Sequence, residues 1–129
     1  MVERNVVGWF EIAVDDMDRA VQFYNKLFGW NITSAPFGEQ DHMAIFPADF
    51  TKDLPGAGGC LFQGKESIPG DGTVVYFTSP SGDCANELVT AKEMGADIRM
   101  DKYEIPEGHG FMFMLRDSEG NRIAVHSNK

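Results

Sequence analysis

The side chains able to do chemistry in this chain are few: one carboxylate inside an apolar stretch, Glu11 in "GWFEIAVDD", the histidines His42, His109 and His126, and the cysteines Cys60 and Cys84. If residues 9–14 form a strand, side chains alternate between faces. Trp9, Glu11 and Ala13 then share one wall, while Phe10, Ile12 and Val14 share the other. A carboxylate on a pocket wall can act as a ligand anchor or a general base, because a cavity raises its pKa towards neutrality. By the same alternation His42 lies with Ala44 and Phe46, and His126 lies with Ala124. His109 sits in the glycine-flanked loop "PEGHG", where a solvated turn is the plain expectation. No Gly-x-Ser-x-Gly, Walker or Cys–His nucleophile arrangement is visible. "GAGG" and "GDG" have no helix directly after them and read as turns rather than phosphate cradles.

These residues need elements to position them. "DDMDRAVQFYNKLFGW" places Met17, Ala20, Val21, Tyr24, Leu27 and Phe28 at helical spacing, with Asp15 or Asp16 to cap the first turn and Gly29 to end the last. In "TVVYFTSPSGDCANELVTAKEMGADI" a strand over Thr73–Phe77 leads through a turn to a helix bearing Cys84, Leu88, Ala91 and Met94, closed by Gly95. "FGWNI" and "MGADI" end the two helices alike, so the halves repeat at an offset of roughly 65 residues. Three strand candidates follow each helix: "WNITSA", "DHMAIFP" and "GGCLFQG", then "ADIRMDKYEI", "FMFMLRD" and "NRIAVHS". In "FMFMLRD" both alternating sets are apolar, as expected if one packs on a helix and the other lines an apolar cavity. The expectation is one domain over 1–129, α+β in class, made of two βαβββ repeats at about 6–64 and 72–127, joined by "GKESIPGDG".

The length suits a single core, and 43% apolar with 24% charged residues is ordinary globular composition. A formal charge of −9 argues against a nucleic-acid partner, whose phosphates it would repel, and is compatible with cationic ligands. No apolar run approaches the roughly 20 residues of a membrane span, so no membrane partner is expected. The start has no signal-peptide pattern, and the two cysteines have no metal or redox spacing; both favour the cytoplasm with free thiols.

"FEIAVDDMDRAVQFYNKLFGW" together with the late "LRDSEGNRIAVHS" resembles the vicinal oxygen chelate superfamily, which includes glyoxalase I, bleomycin-resistance proteins and extradiol dioxygenases. The resemblance spans nearly the whole chain and implies two βαβββ modules forming a curved-sheet, cup-like cavity, often in a homodimer. Such enzymes hold a divalent metal through His and Glu on the cavity strands, so that the cation chelates two adjacent substrate oxygens. Carried over one by one, those positions fall at Trp9, at Thr73, at Ala124, and within Gly59, Cys60 and Leu61. None is His or Glu, and a single thiol is not a site.

The sequence therefore points to a glyoxalase-like protein without the usual metal and with no cofactor. It would bind a small organic molecule in the sheet cavity, in the manner of a sequestration or resistance protein. Trp9, Glu11, His42, Cys60, Thr73, Ala124 and His126 are the expected ligand-binding residues, no catalytic residue is assigned, and a homodimer is expected. The competing reading is a metalloenzyme of the same superfamily (a lyase, isomerase or dioxygenase) with a shifted metal site built from Glu11, His42, His109 and His126, with Cys60 as a further donor. A regulatory partner that binds no ligand is the third.

Overall fold

The computed structural model describes residues 9–52, 54–65, 67–70 and 73–129. The expected start of the first repeat near residue 6 and the linker residues Glu66, Asp71 and Gly72 lie outside the described residues. The chain runs β1 (Trp9–Ala13), α1 (Met17–Phe28), β2 (Ser34–Phe37), β3 (Asp41–Ile45), β4 (Gly58–Gln63), β5 (Val75–Thr78), α2 (Cys84–Glu93), β6 (Ile98–Glu104), a single 3-10 turn (Pro106–Gly108), β7 (Phe111–Arg116) and β8 (Arg122–Ser127). The strands form two mixed four-stranded sheets, ordered β1-β4-β3-β2 and β5-β8-β7-β6. In each, the first strand runs parallel to the last and the others pair antiparallel. The expected α+β class and tandem βαβββ plan are both present.

Local chemistry explains the helix boundaries. Asp16 caps α1 by accepting from the Arg19 N–H at 3.1 Å, and Asp83 caps α2 by accepting from the Ala85 N–H at 2.9 Å. Gly29 ends α1 at φ 70°, left-handed geometry that a Cβ resists. The segment after it differs from expectation: "WNITSA" begins its strand only at Ser34. The Asn25 side chain bonds both the N–H and the C=O of Ile32, which takes those backbone groups out of any ladder. Pro36 is tolerated because β2 is an edge strand.

The helix-facing sides of the sheets and the apolar faces of α1 and α2 make one core shared by both modules. Phe10, Tyr24, Phe28, Trp30, Phe46 and Phe77 meet there, for example Phe10 on Phe46 at 5.7 Å and Tyr24 on Phe77 at 5.7 Å between ring centres. Ile12 and Val14 point into this core, as alternation requires.

The turn "DSEGN" ties the modules together with polar contacts. The Tyr24 hydroxyl donates to Asp117 Oδ2 at 2.8 Å, fully buried. Asp117 Oδ1 also accepts from the Glu119 and Asn121 N–H groups. Glu119 takes the Asp15 and Asp16 N–H groups and a two-point contact from the Arg19 guanidinium at 2.7 and 2.9 Å. Asn121 Nδ2 donates to the Ala13 carbonyl at 2.6 Å, and its Oδ1 accepts from Gly70 N–H. Both recognisable sequence patterns thus do the same job: they join the start of α1 to the β7–β8 turn. Burial pushes the Glu119 carboxyl up, but the Arg19 guanidinium and the backbone donors outweigh it and hold it below the usual carboxylate range.

Candidate functional site

Strand register settles which side chains share each face. On the first sheet Trp9 pairs with Gly58, Glu11 with Cys60, and Ala13 with Phe62. Cys60 and Phe62 pair in turn with Ile45 and Met43, and Met43 with Ala35. Side chains in register share a face, so the side turned away from the helices carries Trp9, Glu11, Cys60, Ile45, Met43 and Phe62, together with Phe37. Trp9, Ile45 and Phe37 are 40%, 41% and 54% exposed, an unusual amount of open apolar surface for neighbours on one sheet. The Trp9 indole lies against Gly58, where a Cβ would come within 3.2 Å of the ring.

This face runs into a hollow of about 670 Å³ at the β2–β3 side, bounded by Phe37, Met43, Ile45, Pro47 and Phe50. At its other edge is a smaller cleft of about 240 Å³ between the modules, lined by Glu11, Ala13, Thr73, Asn121 and Arg122. The Cys60 thiol donates weakly to Glu11 Oε2 at 3.9 Å. Burial, reinforced by the neighbouring Glu11 carboxylate, pushes that thiol up to about 12, so it stays protonated at neutral pH.

On the second sheet Tyr76 pairs with Ala124 and Thr78 with His126. Met114 and Met112 flank the same two β8 residues, and Met100 and Tyr103 continue the face on β6. This face too is open, with Tyr76 53% exposed. His126 is held at its Nε2 by the His109 carbonyl at 2.7 Å, which gives the "PEGHG" loop a positioning role.

Five of the seven expected residues stand on outer faces: Trp9, Glu11 and Cys60 on the first sheet, and Ala124 and His126 on the second. His126 shares the face of Ala124, also as expected. Two expectations need correction. His42 pairs with Gln63 on the helix-facing side, in line with buried Ala44 and Phe46, so it points away from Trp9 and Glu11 and instead borders a cleft with Asp15, Asp16 and Asp18. Alternation had grouped His42, Ala44 and Phe46 correctly; burial shows that theirs is the core side. Thr73 precedes β5, which begins at Val75, and the β5 residue opposite Ala124 is Tyr76. Thr73 does reach the cleft between modules, beside Glu11. Tyr76, Ile45, Met43 and Phe37 were missed; their parity with Ala124 or Cys60 was the available signal, but it needs the register.

Among the described residues no group of three or more His, Cys, Asp or Glu side chains converges in a way that could hold a metal ion. No helix of the described residues is long and apolar enough to cross a membrane.

Two helix-backed four-stranded sheets, each a βαβββ unit with an open outer face, define the glyoxalase-like fold. Residues 7–45 match the family model described as "Bleomycin resistance protein-like N-terminal". Solved structures agree on the fold. A glyoxylase/bleomycin resistance protein/dioxygenase domain from Frankia superposes with a TM-score of 0.72 at 16% identity, covering 97% of this chain and 98% of that one. TnmS3, an antibiotic binding protein from Streptomyces, gives 0.66 at 20% identity over 98% of both chains. The fosfomycin resistance protein FosX from Listeria monocytogenes gives 0.67 at 13% identity, covering 100% of this chain and 94% of that one. A comparison with curated protein sequences yields no match.

Proposed function

We propose that this protein binds a small, largely apolar organic molecule on the outer face of its first sheet and holds it without a metal ion, as a sequestering or resistance protein. The observation that carries this reading is the face itself. Phe37, Met43 and Ile45 line a hollow of about 670 Å³, within the size of small-molecule sites, and Trp9 and Phe62 continue the same face. An exposed apolar surface of this kind costs solubility unless something occupies it. The bleomycin-like first module and the likeness to an antibiotic binding protein support the same class of ligand.

The metal-free state is supported by the residues at the family's metal positions. Trp9 and Ala124 offer no donor atom of use, and the single Cys60 thiol is not a site. The competing shifted-site reading loses His42 as a partner of Glu11, because register puts them on opposite sides of the sheet. The protein acts as a cytoplasmic homodimer in this proposal. A second copy is the simplest cover for the outer face that carries Tyr76, Met100 and Tyr103.

The test is a thermal shift of dialysed protein against bleomycin and a panel of hydrophobic antibiotics, since a ligand that binds only the native state raises the melting temperature. A rise that is lost in Trp9→Ala and Ile45→Ser supports the reading. A rise equal in wild type and both variants overturns the assignment to this face. Elemental analysis of the same sample for Zn, Ni, Fe and Mn checks the metal: near-stoichiometric retention after dialysis overturns the metal-free part. Light scattering that shows a monomer at micromolar concentration overturns the dimer.

A further inference from the structure

We infer that the ligand of this face is an amphipathic cation, with its positive group on Glu11 and its apolar body about 10 Å away in the hollow. The inference rests on the binding reading above and deepens it. Its basis is how charge is distributed over the face. The twelve residues that line the hollow include none that is charged, in a chain with 31 acidic and basic residues, 20 and 11 respectively. That hollow selects a neutral, apolar group, because an ion placed there would lose its hydration with nothing in return.

The charges on the outer face of the first sheet are Glu11 and Asp41, both negative. Asp41 stands at the end of β3 against Gly64 and borders a separate cleft in which Lys65 lies, so a base is already at hand there. Glu11 is different. The Cys60 thiol, itself uncharged, is its hydrogen-bond neighbour. Arg122, which lines the cleft between the modules with Glu11, has a partner of its own. Glu11 also sits in a row that leads to the hollow: it pairs with Cys60, and Cys60 pairs with Ile45, a lining residue. Two strand spacings separate Glu11 from Ile45, about 10 Å. Trp9, two residues along β1 from Glu11, adds an aromatic surface on the same side that a cation also favours.

The geometry thus specifies both ends of the molecule and the length between them. A basic nitrogen pairs with Glu11, a spacer runs above the buried Cys60, and the apolar body enters past Ile45 towards Phe37 and Phe50. A molecule with a carboxylate in place of the amine meets Glu11 with like charge and binds worst. The net charge of −9 draws cations to the surface and acts in the same direction.

The experiment uses the full chain and a matched set of naphthylalkyl probes with one apolar body. Each ends in an ammonium, a hydroxyl or a carboxylate, with spacers from two to eight methylenes, and binding is measured by calorimetry. The expected result is that the ammonium probe binds about threefold to fivefold tighter than the alcohol, with an optimum near the spacer that spans about 10 Å. That advantage disappears in Glu11→Gln, and it persists in Asp41→Asn. Equal binding of ammonium and alcohol by wild type leaves the binding reading intact and overturns this inference. So does an ammonium preference that survives Glu11→Gln or is lost in Asp41→Asn. Failure of every probe, the alcohols included, overturns the binding reading as well.

Discussion

Replacing Tyr24 by Phe deletes one oxygen from the point where the two modules are joined. The Tyr24 side chain is fully buried, and its ring packs on Phe46 and Phe77 at 5.5 and 5.7 Å. Phe keeps those contacts, so the change isolates the hydroxyl. That hydroxyl donates to Asp117 Oδ2 at 2.8 Å, and Asp117 is itself buried. Hydrogen bonds to a charged group contribute about 1.5–3 kcal/mol. Asp117 retains the Glu119 and Asn121 N–H groups and the Asn121 side-chain donor at 3.1 Å, so the cost falls near the middle of that range, about 2 kcal/mol. With a urea slope of roughly 1.5 kcal/mol per molar for a chain of this size, the unfolding midpoint drops by about 1.3 M at unchanged slope. Urea unfolding followed by tryptophan fluorescence and by far-ultraviolet circular dichroism measures it. A midpoint within about 0.3 M of wild type refutes the argument, because it means that the Tyr24–Asp117 contact contributes less than an ordinary surface hydrogen bond. An independent check is spectrophotometric titration: burial and the Asp117 charge raise the Tyr24 phenol well above its ordinary value, so Tyr24 ionises only after the protein unfolds.

Three other outcomes follow from the same contacts. The Glu119 carboxyl is held below its unfolded value, so its contribution is present above about pH 4.5 and is lost as pH falls through the lower folded value. Wild type therefore loses stability faster than Glu119→Gln below about pH 4.5, and parallel stability curves down to pH 3 count against it. Gly29→Val is more costly than Gly64→Val. Gly29 has φ 70°, which a β-branched residue resists by roughly 1–2 kcal/mol, whereas Gly64 would crowd only the movable side chains of Phe62 and Asp41; equal denaturant midpoints remove this ranking. Iodoacetamide at pH 8 labels neither Cys60 nor Cys84 in native protein, and labels both in urea. Both thiols are buried and Cys60 is pushed up to about 12, so mass-detected native labelling of Cys60 within minutes contradicts its placement.

The sequence by itself determined the elements and their sidedness, because these depend on periodicity and on local caps. Helix α1 could be read from Asp15 or Asp16, its apolar stripe and Gly29, and each is within a few residues of the helix it shapes. The two faces of β1 and the repeat of the halves were legible for the same reason. The tertiary structure decided which side of each strand is buried and which residues become neighbours across strands. Alternation grouped His42 with Ala44 and Phe46, but a period of two has no sign; only packing against α1 made that side the core. Thr73 in place of Tyr76 is a related case, since a strand's starting residue follows from pairing with β8 rather than from its own sequence. Asn25, which holds Ile32 out of a strand, is a competition between a side chain and a ladder that residue propensities do not resolve. The row Glu11–Cys60–Ile45 exists in no segment of the sequence, because its three members come from strands up to 49 residues apart and meet only through register.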